Sequence, residues 1–227
     1  MRESQDTELP QFTPDQLKAR FKKLQQQTNN VYQNWQIRVH RSLSWYKRSL
    51  EMPAEQPETK FILLWISLNC LYSRWDAARN APGQDAAARR DFLTKLCQMD
   101  PKFVEKMLRR YRPLLKKLLE DPFLSSSFWR DPAHPKAKGW ATADANYLEL
   151  HLKSGEHSKL LGQAVDRLYV MRGQLVHGAA TGGGRLNRKP LGYCLQLLSE
   201  VVPLMLHLVL EHGYNDDWPE LCYPPIK

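Results

Sequence analysis

Only four cysteines, Cys70, Cys97, Cys194 and Cys222, occur in 227 residues, and they stand far apart with no C-x-x-C pair. A disulfide-stapled small domain and a zinc knuckle are thereby excluded, and reduced, buried thiols are the expected state. Carboxylates are scarce beside cations: 24 Asp and Glu face 33 Lys and Arg, a formal net charge of +9. Such a surplus favours a polyanionic partner without naming one. The N-terminal MRESQDTELP lacks the apolar stretch of a signal peptide, so a cytoplasmic location is expected. Long hydrophobic runs reduce to one, LGYCLQLLSEVVPLMLHLVL at 191–210, interrupted by Gln196, Ser199, Glu200, Pro203 and His207. A carboxylate at mid-bilayer costs several kcal/mol, so this run is read as a core or interface helix and no membrane association is expected.

The composition that remains, 42% hydrophobic and 25% charged with fifteen prolines, is that of a globular chain. Runs rich in Leu, Lys, Arg, Gln and Ala between the prolines predict an all-α fold. Residues 1–12 are expected to lack order; Thr13 is then an N-cap, with Pro14 at the first helical position and Asp15 in the first turn. Val31, Trp35, Val39, Leu43, Tyr46 and Leu50 form one stripe of helical spacing ended by Pro53 and Pro57. A second helix, about 58–77, carries Phe61, Trp65, Leu68, Tyr72 and Trp75, with Asn69 at the edge of its broad face as a hydrogen-bond bracket or a site residue. Helices are predicted at about 85–98, 101–120, 143–152 and 156–177, and a very apolar one begins near Leu191. The segment 121–140 reads as an ordered Pro/Trp loop inserted over the domain. The organisation expected is an N-terminal extension (1–30), a helical domain (31–213, loop insertion about 121–141) and a C-terminal tail (214–227).

Within the 156–177 helix, Leu161, Val165, Leu168 and Leu175 share an apolar stripe, and Arg172 falls in the middle of it. A guanidinium there must be paired, must snorkel, or must border a cleft or subunit interface, because it cannot shed its charge. His177 follows in the frame R-x-x-x-x-H, about 140° around an ideal helix. The two groups meet only if the helix bends or ends at Gly173, or if a second copy of the chain completes the site. Gly178 is placed as a C-terminal cap, and a histidine in the last turn is favoured as imidazolium by the helix dipole. One arginine and one histidine suit cleavage of RNA by its own 2′-hydroxyl: histidine moves protons while arginine holds charge on the phosphorane.

At these residues, LYVMRGQLVHG preceded by FILLWISLNCLY, the sequence resembles the HEPN family, closest to its Apea-like branch. The resemblance covers roughly residues 31–213 and rests on R-x-x-x-x-H followed by glycine, an upstream F-x-x-x-W-x-x-x-N-x-x-Y helix and a following apolar helix. It implies a HEPN-like helical bundle with additional helices, a homodimer bringing two motifs together, and metal-independent endoribonuclease activity in phage defence or a toxin–antitoxin-like system. On that resemblance Arg172 and His177 are the catalytic pair, Asn69, Gly173 and Gly178 support it, and a protein antitoxin or effector is a possible partner. One position departs from the family pattern: the residue after the arginine is commonly polar and here is Gly173, which removes a side-chain contact that helps orient the site.

The glycine loop GAATGGGRLNRKP offers Arg185, Arg188 and Lys189 to RNA phosphates; a flexible basic connector is the competing reading. Trp129, Trp140 and the lysines at 136–138 are either stacking groups for single-stranded RNA or packed loop aromatics. HLVLEH at 207–212 has one residue too many for a zinc-protease helix, and HLKSGEH at 151–157 straddles a Ser-Gly break. No metal and no cofactor are expected.

Overall fold

The computed structural model describes residues 8–28, 33–179, 182–184 and 187–223, and 74% of the chain is helical. The all-α expectation holds. Eleven α-helices are described: α1 Pro14–Gln27, α2 Gln33–Leu50, α3 Pro57–Tyr72, α4 Asp85–Met99, α5 Pro101–Arg110, α6 Arg112–Glu120, α7 Ser126–Arg130, α8 Ala137–Thr142, α9 Leu148–Ser154, α10 His157–Val176 and α11 Arg188–His212. Among the described residues one small sheet pairs β1 (Trp75–Asp76) antiparallel with β2 (Ala81–Pro82), Trp75 opposite Pro82.

By its internal contacts the chain divides into two compact units. The first takes Met1–Leu9, Met52–Ile62 and Lys102–Ser199; the second takes Pro10–Glu51, Leu63–Pro101 and Glu200–Lys227. Helices α3 and α11 therefore contribute residues to both.

In the second unit Thr13 caps α1 as expected: its hydroxyl accepts from Gln16 N, and the Gln16 side chain accepts from Thr13 N, a complete capping box. Residues 8–12 are ordered against expectation, because Phe12 stacks on His207 and its carbonyl accepts from Tyr46 Oη. Leu17, Phe21 and Leu24 of α1 are buried, and α1 packs along α2, whose buried stripe holds Trp35, Val39, Leu43 and Tyr46. Arg38, also on that face, is 1% exposed with no carboxylate beside it. Its guanidinium donates to the carbonyls of Ser73, Pro219 and Glu220, and burial pushes its pKa down to about 10. Chain predicted as the end of a 58–77 helix instead turns into β1 after Tyr72, with Arg74 bridged to Leu221.

In the first unit the predicted 101–120 helix is two helices. Pro113 sits in the first turn of α6, where its missing N–H costs nothing, and a helix continuing across it would clash with its ring. The inserted Pro/Trp segment is not a loop. Asp121 and Ser125 each cap the next turn, accepting from Phe123 N and Ser127 N, so 122–124 forms a 3-10 turn followed by α7 and α8. The predicted 143–152 helix begins as a 3-10 turn over 143–147 and becomes α9, closed by left-handed Gly155. Helix α11 is long and apolar enough to cross a membrane by length and composition, yet 67% of that stretch is buried inside the structure.

Candidate functional site

Helix α10 buries His157, Leu160, Leu161, Ala164, Val165, Arg167, Leu168, Met171 and Gln174. These positions occupy about half of the helical wheel, and Arg172 falls inside the same arc, near Val165. Leu175 lies at the centre of the arc and is nonetheless only half-buried; Val176 is 53% exposed. The last turn of α10 therefore emerges from its packing with an apolar centre and a cation at its side.

The helix runs unbroken through Gly173, and a Cβ added there meets nothing within 4 Å. It ends instead in a Schellman motif. His177 is the C-cap, Gly178 takes the left-handed conformation (φ 70°), Gly178 N donates to Leu175 O at 3.4 Å and Ala179 N to Gln174 O at 2.8 Å. The expected steering of Arg172 and His177 by a helix end between them is thus absent. Arg172 is half-buried, while His177, from the opposite side of the helix, is exposed. No hydrogen bond joins them.

What distinguishes Arg172 is its lack of partners among the described residues. Six other described arginines are shielded from solvent, and each is occupied. Arg20 bonds Glu211, Arg74 pairs with Asp91, Arg89 with Asp85 and Arg167 with Asp144, while Arg38 and Arg41 donate to backbone carbonyls. Arg167, five residues before Arg172, shows the contrast best. It is 3% exposed, donates to Ala141 O at 2.6 Å and to Asp144 Oδ2 at 3.0 Å, and burial lowers its pKa against the pull of Asp144. Among the described residues Arg172 has no hydrogen bond or ion pair through its side chain, and neither has His177.

A polar bracket fixes this corner. Gln174 Nε2 donates to Phe123 O at 2.6 Å, Asn187 Nδ2 donates to Gln174 Oε1 at 2.6 Å, and Trp129 Nε1 donates to Phe123 O at 2.8 Å. The bracket ties the end of α10, the start of α11 and the 122–130 turns. Sequence reasoning missed it; its one signal was Gln174, an amide on an apolar arc. Trp129 (46% exposed) and Trp140 (46%) are not packed away, Trp140 stacking on His134.

Of the predicted phosphate contacts, Arg185 lies outside the described residues. Arg188 is occupied: it pairs with Glu58 of the first turn of α3 at 3.0 Å, and Gly183 N donates to the same carboxylate oxygen at 3.3 Å. Both partners of that ion pair are partly solvated, so it exchanges cheaply. Lys189 is exposed, and it and Lys117 lie 6.0 and 5.5 Å from the ring of Tyr193. Asn69 belongs to the second unit, and among the described residues its buried Oδ1 accepts from no donor, so the predicted bracket is not formed there by that oxygen.

Among the described residues no group of three or more His, Cys, Asp or Glu side chains is placed to hold a metal ion. Three of the four histidines of the two competing motifs have local contacts: His207 stacks on Phe12, His212 approaches Asp100, and His151 bonds Glu156, while the buried Nε2 of His157 has no hydrogen-bond partner among the described residues. No family model matches the chain, and neither the curated proteins nor the solved structures contain one similar to it.

Proposed function

We propose that the chain is a HEPN-type endoribonuclease that cuts RNA by attack of its own 2′-hydroxyl, without a metal ion, and that it acts as a homodimer in the cytoplasm. The observation that carries this reading is Arg172: a partially buried guanidinium with no partner among the described residues, where each of the six other shielded arginines described has one. A cation kept unpaired in such a place needs a reason outside fold stability, and a phosphate is the anion that an R-x-x-x-x-H frame suits.

In the reaction the 2′-oxygen bonds to phosphorus as its proton passes to a histidine, the bond from phosphorus to the 5′-oxygen breaks, and that oxygen takes a proton. A 2′,3′-cyclic phosphate and a 5′-hydroxyl result. Two copies of the chain supply two copies of His177, one as base and one as acid, and Arg172 bears on the charge gathering on the equatorial oxygens. Dimerisation also answers the geometry of the single chain, in which Arg172 and His177 leave α10 on different sides. Lys189 and the exchangeable Arg188 extend the positive surface for flanking phosphates. A setting in phage defence or beside a protein antitoxin belongs to the same proposal.

The divergence of the pair favours a second reading, a non-catalytic HEPN module that binds RNA or nucleotide or serves as a dimerising scaffold. Purified protein incubated with single-stranded RNA in EDTA separates the two. Cleavage that falls about 10²–10⁴-fold in Arg172→Ala and in His177→Ala, with cyclic-phosphate ends, supports the enzyme. Binding without cleavage, unchanged at any pH, supports the module.

A further inference from the structure

A second site lies in the other unit, along the seam of α1 and α2. The two helices run antiparallel, as the contacts of Phe12 with Tyr46 and of Gln25 with Gln36 show. Between them opens a groove of about 740 Å³ that follows α1 from Pro14 to Gln25 and α2 from His40 to its C-terminal end, with Glu51 just beyond. At the rise of an α-helix that is a length of about 16 Å, or three helical turns. Its floor is apolar, with Phe21 and Leu43 beneath and the indole of Trp45, 38% exposed, at the side.

Charge on these helices is one-sided. Together they carry eight Lys and Arg against the single carboxylate of Asp15. All four arginines are occupied: Arg20 by Glu211, Arg48 by Glu51, Arg38 and Arg41 by backbone carbonyls. Lys18, Lys22 and Lys47 have no ion pair among the described residues, and all three line the groove. Lys18 and Lys22 stand one turn apart on α1, and Lys47 faces them from α2.

From this we infer that the groove receives an acidic amphipathic helix of a partner protein, its apolar stripe against Phe21, Leu43 and Trp45 and its Glu or Asp side chains on Lys18, Lys22 and Lys47. An RNA strand suits the groove less well. Asp15 and Glu51 close one end, where a phosphate backbone meets repulsion, and the exposed rings at the groove are Trp45 and the imidazole of His40, a short platform for successive bases. This inference is independent of the nuclease proposal, since it involves neither Arg172 nor His177.

The test uses a labelled fourteen-residue synthetic peptide with Leu and Phe at helical spacing and Glu at the flanking positions, and a scrambled isomer of the same composition. Fluorescence anisotropy with the full chain should give saturable binding of the first peptide and at least about tenfold weaker binding of the scramble. The charge reversal K18E/K22E should weaken binding about tenfold or more, the milder K18Q/K22Q by less, with unchanged circular dichroism, and Arg172→Ala should bind as the parent does. Equal affinity for the scramble, indifference to the lysine variants, absence of binding, or displacement of the peptide by equimolar poly(U) each overturns the inference.

Discussion

Arg167 and Arg172 lie on one helix, five residues apart; the first is paired and the second has no partner among the described residues, a contrast that a pair of alanine substitutions tests. Arg167→Ala removes a buried guanidinium, leaves Ala141 O without its donor and opens the space of the alkyl stem. Two hydrogen bonds to a charged group and about three buried methylenes are lost, while Asp144, 45% exposed, is free to rehydrate and the desolvation penalty of the cation is relieved. The balance is a destabilisation of about 2–4 kcal/mol. For a chain of this length that lowers Tm by about 5–12 °C. Arg167→Met, which keeps the stem, should recover about half of the loss. Arg172→Ala breaks no bond seen among the described residues and should stay within about 0.5 kcal/mol of the parent. Thermal and urea unfolding followed by circular dichroism, at two protein concentrations tenfold apart, separate folding from association. Equal destabilisation by the two substitutions would make Arg172 one more structural arginine and remove the observation on which the nuclease proposal stands.

Gly178→Ala forces a side chain into the left-handed cap at φ 70° and should cost about 1–2 kcal/mol, whereas Gly173→Ala, mid-helix with open space around it, should gain about 0.5–1 kcal/mol in the same urea titration. Gly173→Asn restores the polar residue common after the motif arginine, and on the nuclease reading it should raise the cleavage rate without loss of fold. Gln174→Ala cuts the bracket between Phe123 and Asn187 at a buried amide; a cost of about 1–3 kcal/mol and faster tryptic cleavage after Arg188 are expected. Burial against Phe12 holds the His207 imidazole below its ordinary value of 6.5. The unfolded chain therefore takes up the proton first, so stability is full above about pH 6.5, declines as pH falls toward the folded-state value and is level below it. Urea midpoints between pH 7.5 and 5 should show that slope, and His207→Phe should remove it.

Much of the fold was legible because its long helices are amphipathic. The stripe from Trp35 to Tyr46 and the arc from Leu161 to Leu168 bury where their spacing placed them, and the caps at Thr13 and Gly178 follow from local chemistry alone. Short elements were not legible. A Pro- and Ser-rich stretch such as 121–140 has no periodicity to read, and its turns exist because Asp121 and Ser125 find backbone donors two residues on. Apolar spacing likewise carried the second predicted helix past Tyr72 to Trp75, although the chain there pairs as a strand.

The candidate site was half legible for a different reason. Periodicity finds a cation on an apolar face, and it found Arg172; it is silent about whether that cation is satisfied. Arg38 and Arg167 sit on comparable faces, and their partners, the carbonyls of Ser73, Pro219 and Glu220 for one and Ala141 and Asp144 for the other, lie 23 to 182 residues away in sequence. A guanidinium satisfied by distant carbonyls and one left open look the same in a helical wheel. Only three-dimensional placement separates them, and among the described residues it leaves one shielded arginine open, in the single R-x-x-x-x-H frame for which the sequence alone had already supplied a chemical use.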